Sequence, residues 1–65
     1  MGRSLVDILE QMIRDVQWNI TQLQAAAADA NLTRTQRYTI RDILYAEGRH
    51  LDVLKTSLRD WEEIR

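Results

Sequence analysis

Asn31-Leu32-Thr33-Arg34-Thr35-Gln36 divides the chain and decides its fold. Thr33-Arg34-Thr35-Gln36 reads as a capping box: a Thr hydroxyl and, three residues on, a Gln amide satisfy each other's free backbone N–H groups at a helix start. Asn31, just before it, tolerates the left-handed backbone that ends helices. One helix therefore stops and another begins within a few residues. A connection that short makes the two helices antiparallel neighbours.

Upstream of this stretch, Ser4 with Asp7 three residues later forms a capping-box-like start. Apolar positions then follow a 3-4 rhythm through Leu5, Leu9, Met12 and Val16, continuing as Asn19, Leu23, Ala26 and Ala30. Val6, Ile13, Ile20 and Ala27 repeat every seven beside them. The two sets fill about three of every seven positions, the width of a core-facing helix in a bundle. Downstream, Ile40, Leu44, Glu47, Leu51, Leu54, Leu58 and Trp61 keep the same rhythm, flanked by Ile43, His50, Ser57 and Ile64. The phase carries across Gly48, so one continuous second helix is predicted. A mid-helix Gly costs about 1 kcal/mol against Ala, and a site that tolerates it is one where another backbone can come close. The expected fold is all-α, a single helical-hairpin domain over 1–65. Its first helix covers about 4–30, its turn 31–33 and its second helix about 34–64, with arms of about 40 Å at 1.5 Å per residue.

Composition narrows the functional classes. With 65 residues, no Cys and no Pro, the chain is too short for a nucleotide-binding βαβ pair, and disulfide scaffolds and Cys-ligated metal sites are excluded. Hydrophobic residues at 45% are enough to drive folding. A net charge of −1 argues against bulk electrostatic binding of nucleic acid. No apolar run is longer than four residues, the length of Ala25–Ala28, far below the roughly 20 residues of a membrane span, and no membrane role is expected. No apolar leader segment follows Met1-Gly2-Arg3, and position 6 is Val where myristoylation wants Ser or Thr. The expectation is a cytoplasmic protein, with the glycosylation triplets at Asn19 and Asn31 present by chance.

Two helices cover only part of each other, and an apolar face three positions wide exceeds what one neighbour buries. A domain this small needs metal, disulfides or subunits to complete its core. Self-association is therefore expected: a homo-oligomer, in the simplest case a dimer in which two hairpins close a four-helix bundle.

Antiparallel pairing about Thr33 matches positions summing to about 66 and sets Val16 opposite His50, Met12 opposite Leu54, and Leu5 opposite Trp61. On that register Asn19 faces Glu47, so the polar interruptions of both helices, with His50, fall at one central level. A hydrogen-bonded polar layer fixes register and oligomer state at a cost in stability. Alternatively these residues sit at the edge of the face, partly solvated. Glu47-Gly48-Arg49-His50 is also a Glu-x-x-His pair, the spacing used by di-metal carboxylate bundles. Such bundles add an inward Glu from the other helix; here Asn19 holds that level. No cofactor is expected. Ser57 lies about 10 Å from His50 by helix rise, so no nucleophile–base set exists, and the chain is read as a non-enzyme.

Trp18 falls opposite the apolar face of the first helix, and a lone exposed Trp there would be stacked by Arg14 one turn back. Trp and Arg are also the commonest interface hot spots. Ala25 and Ala28 extend this outer side smoothly. On the second helix Arg34, Tyr38, Arg41 and Tyr45 form a flank stripe. It is read either as internal cation–π stabilisation or as a surface for an acidic partner, with nucleic acid as the alternative. Trp61 and Ile64 are expected to anchor the open end of the hairpin, with Glu62 and Glu63 in water. The function expected from these features is a small adaptor or inhibitor that binds another protein, using Trp18, Arg14, Arg34, Tyr38, Arg41 and Tyr45.

Overall fold

The computed structural model describes residues 3–64, and the side chains of residues 3–62. The described residues form two α-helices and no strand: α1 (Leu5–Ala27) and α2 (Arg34–Ile64), packed as a hairpin. No helix among them is long and apolar enough to cross a membrane.

Local chemistry accounts for the helix starts. Ser4 caps α1, its hydroxyl accepting from the Asp7 N–H at 3.2 Å. At α2 the capping box closes in both directions. Gln36 N–H donates to the Thr33 hydroxyl at 3.1 Å, and Thr33 N–H donates to Gln36 Oε1 at 2.8 Å.

The end of α1 comes three residues earlier than the periodicity suggests, and the connection runs over 28–33. Asn31 is not a left-handed stop, since no described residue has positive φ. Instead the last turn tightens, with Ala28 and Asp29 N–H groups reaching back three residues to Ala25 and Ala26 carbonyls at 3.2 Å. The Asp29 carboxylate then accepts the Asn31 N–H at 2.9 Å, a local bond that competes with the helix ladder. Arg37, one turn into α2, donates to the Asp29 and Ala30 carbonyls at 3.3 and 3.4 Å. These carbonyls would otherwise be left unpaired past the helix end. The sequence periodicity ran through Ala30 because Ala fits either a helix or a turn.

The seam between the helices takes alternate members of the 3-4 set on α1 and all of the set repeating every seven: Val6, Leu9, Ile13, Val16, Ile20, Leu23 and Ala27 are buried or half-buried. Leu9, Val16 and Leu54 form its buried cluster, with Ile13, Ile20, Leu51 and Leu58 packed against it. Val16 is therefore covered by this cluster, and His50, expected opposite it, is exposed. Met12, expected opposite Leu54, is likewise displaced to the flank, 38% exposed. Two helices alone contact through about two positions per heptad, so the third apolar position of each heptad is left outside. α2 runs unbroken through Gly48. A Cβ built there meets nothing within 4 Å, so no backbone of the hairpin makes the close approach expected at that position. Trp61 remains 42% exposed, less anchored than expected, and Leu5, its expected neighbour, is itself 43% exposed. The Ile64 and Glu63 side chains lie outside the described residues.

Candidate functional site

A groove of about 290 Å³ opens on one flank, lined by Asn19, Gln22, Leu23, Ile43 and Glu47. It places Asn19 and Glu47 at one level, on the expected register. Steps of seven residues keep a side chain on one face, and the groove residues thus identify the rest of this flank. From Asn19 the steps reach Met12 and Leu5, from Gln22 they reach Asp15 and Ile8, and from Ile43 they reach His50 and Ser57. Ala46 and Val53 stand three residues beyond Ile43 and His50, as Gln22 stands beyond Asn19. A second groove, lined by Leu32, Thr35, Gln36, Thr39 and Ile40, continues the flank toward the turn.

This flank holds most of the large exposed hydrophobic side chains. Leu5, Ile8, Met12, Ile43 and Val53 lie on it, between 38% and 61% exposed, and Trp61 stands at its edge. Single exposed apolar residues are ordinary, whereas a contiguous row of them marks an interaction site. Ile8 and Val53 were missed in the sequence. The signal was present in their offset of three from Leu5 and His50, but it shows only once the seam position is known.

The central polar group divides. Glu47 is half-buried at the seam, whereas Asn19 and His50 are exposed. No polar side chain among the described residues is buried, so within one hairpin the group lies at the edge of the face, partly solvated. Nor do three or more His, Asp or Glu of the described residues gather closely enough to hold a metal ion, which leaves Glu47 and His50 without a third ligand in one chain.

The opposite flank is charged and aromatic. The Arg41 and Arg34 guanidinium groups lie 5.0 and 5.7 Å from the Tyr38 ring centre, and Arg49 lies 6.0 Å from that of Tyr45. Both rings are thus engaged from within α2, yet Tyr45 remains 67% exposed and Tyr38 45%. Trp18, on the back of α1, is 64% exposed. The expected Arg14 stack on Trp18 is not formed. Arg14 donates to Gln11 Oε1 at 3.0 Å, and Gln11 in turn donates to Asp15 at 2.9 Å, a polar relay that holds the guanidinium one turn toward the N-terminus. Trp18 and the Arg–Tyr stripe sit on different helices, and neither is covered.

No protein-family model matches the chain, and no curated protein or solved structure is significantly similar to it.

Proposed function

We propose that the chain is a non-enzymatic helical interaction protein, a self-associating adaptor or inhibitor that binds another protein. The observation that carries this reading is the division of the exposed surface. One flank exposes Leu5, Ile8, Met12, Ile43 and Val53 beside a groove, while Trp18 on the back of α1 and two tyrosines with their arginines on α2 stand in water away from it. A second hairpin on the apolar flank completes a four-helix bundle, and the charged, aromatic side stays free for a partner.

The shape supports self-association. The Cα radius of gyration is 15.2 Å, against about 11 Å for a compact domain of 65 residues. The surface of 5185 Å² exceeds by about 850 Å² what a compact monomer of this mass exposes. That excess equals the roughly 800 Å² each partner contributes to a standard interface.

Native mass spectrometry at micromolar concentration tests the first half: a species of twice 7.7 kDa is expected, and a monomer overturns self-association. For the second half, Trp18→Ala and Arg41→Glu are expected to abolish partner capture while the helical melt is unchanged. Capture that survives both substitutions removes this surface from the reading. A partner affinity flat from low to moderate salt excludes nucleic acid. A steep fall would indicate counterion release from nucleic acid instead.

A further inference from the structure

The apolar flank has a graded composition from the open end of the hairpin to its turn. Leu5, Ile8 and Met12 on α1, with Val53 and Trp61 on α2, make the open half mostly apolar, with Ser57 among them. Asp15, Asn19 and His50 make a polar band at mid-length, and Leu23, Ile43 and the two grooves make up the turn half. A closed dimer of two such flanks has a two-fold axis in the interface, either across the helices or along them. These two arrangements bring different residues together.

With the axis across the helices, each α1 lies on the other α1, running the opposite way. The open half of one copy then covers the turn half of the other. About residue 17, midway along the arm from residue 3 to the turn at residue 31, Met12 meets Gln22, Ile8 meets Ala26, and Leu5 reaches the level of Asp29. The largest exposed apolar groups are set against polar or methyl-only neighbours.

With the axis along the helices, both turns lie at one end and α1 of each copy lies on α2 of the other. Every level then meets itself. Met12 meets Val53, Leu5 meets Trp61, Ile8 meets Ser57, Gln22 meets Ile43, and Asp15 meets His50, whose ring N–H can donate to the carboxylate in either protonation state. Leu5 and Met12 are buried against apolar side chains, where their removal from water is favourable, and Asp15 and His50 of the polar band pair with each other. A flank about 49 Å long and 21 Å wide has area for a standard interface.

We propose that the apolar flank receives a second copy of this chain with both turns at the same end, so that α1 of each copy lies against α2 of the other and Asp15 faces His50 across the two-fold. This rests on the self-association proposed above and specifies its geometry.

The chain has no cysteine, so a single introduced thiol carries one spin label. Asp7 and Thr21 are exposed and lie off the apolar flank, so labelling Asp7→Cys and Thr21→Cys leaves the interface intact. They are two heptads apart on the same side of α1. With the axis along the helices, electron–electron distance measurements on the two variants give matching distances, since each label sits level with its mate. With the axis across them, the labels are offset along the bundle by about 30 Å at residue 7 and about 12 Å at residue 21. Matching distances are the expected result. A longer distance at residue 7 by 10 Å or more overturns the docking direction and leaves self-association standing. A monomeric mass for both labelled variants and the unlabelled protein overturns self-association itself. A foreign chain retained in place of the second copy overturns the choice of occupant.

Discussion

On the flank that carries Met12 and Ile43, large apolar side chains stand in water around a groove. On the flank that carries Arg41 and Tyr45, the exposed rings are already stacked by arginines of their own helix. Both flanks have exposed aromatic or aliphatic groups, but their chemistry differs. Removing the first from water requires another surface. The second is stable as it stands, because Tyr and Arg each present a polar end to solvent. A hairpin that needed only solubility would have two flanks of the second kind. On the proposed reading, structural completion falls to one side and recognition to the other.

The strongest way to break that assignment is to place a charge on each flank in turn. Met12→Glu puts an unpaired carboxylate into the apolar flank of both copies, and an uncompensated buried charge costs about 3–5 kcal/mol. The dimer dissociation constant is expected to rise by at least about 100-fold, the lower end of that cost at 1.4 kcal/mol per decade, as read by sedimentation equilibrium. Tyr45→Glu is expected to leave it unchanged within experimental error. Equal weakening by both substitutions would mean the flanks are not specialised.

The seam belongs to both flanks, and its loss acts on folding itself. Leu54 is 5% exposed and packs with Leu9 and Val16. Leu54→Ala is expected to cost about 2–4 kcal/mol, seen as a lowered midpoint in urea with circular dichroism at 222 nm. A loss below about 1 kcal/mol would show that most of the stability comes from outside the hairpin.

What the residues disclosed in advance follows the same division. The two helices and their direction were legible because Thr33 and Gln36 form a short-range device that needs no tertiary context, and because the α2 rhythm keeps its phase through Gly48. The level shared by Asn19 and Glu47 followed from the turn position alone. Which apolar residues of α1 enter the seam was not legible. Leu5 and Met12 belong to one heptad repeat and Val6 and Ile13 to the adjacent one, and both fit a three-wide face. Only the number of neighbouring helices decides between them, and a sequence does not state that number. The end of α1 was hidden for a different reason. Ala28 and Ala30 suit a helix as well as a turn, and the deciding contacts, from Asp29 to Asn31 and from Arg37 to the Asp29 and Ala30 carbonyls, involve residues without a strong stop signal. The fate of Arg14 turned on a similar local competition, between the Trp18 ring on one side and Gln11 on the other.

Gly48 provides the finest test of the comparison. It lies in mid-α2, half-buried, one turn from Leu44 and beside Tyr45, on the charged side of the seam. Within the hairpin nothing lies within 4 Å of where its Cβ would stand, so the fold itself does not require Gly. Gly48→Ala is therefore expected to raise stability by about 0.8–1 kcal/mol, the intrinsic helix preference of Ala, as an increased urea midpoint. Because the residue is off the apolar flank, the dimer dissociation constant is expected to stay the same once the gain in folding is accounted for. If the midpoint rises while capture of the partner weakens, Gly48 is where a partner's backbone lies close to α2 on the Arg–Tyr side, and recognition extends to the centre of that flank. If instead the dimer itself weakens, the second copy reaches around to the charged side, and the division of labour between the two flanks fails at their shared edge.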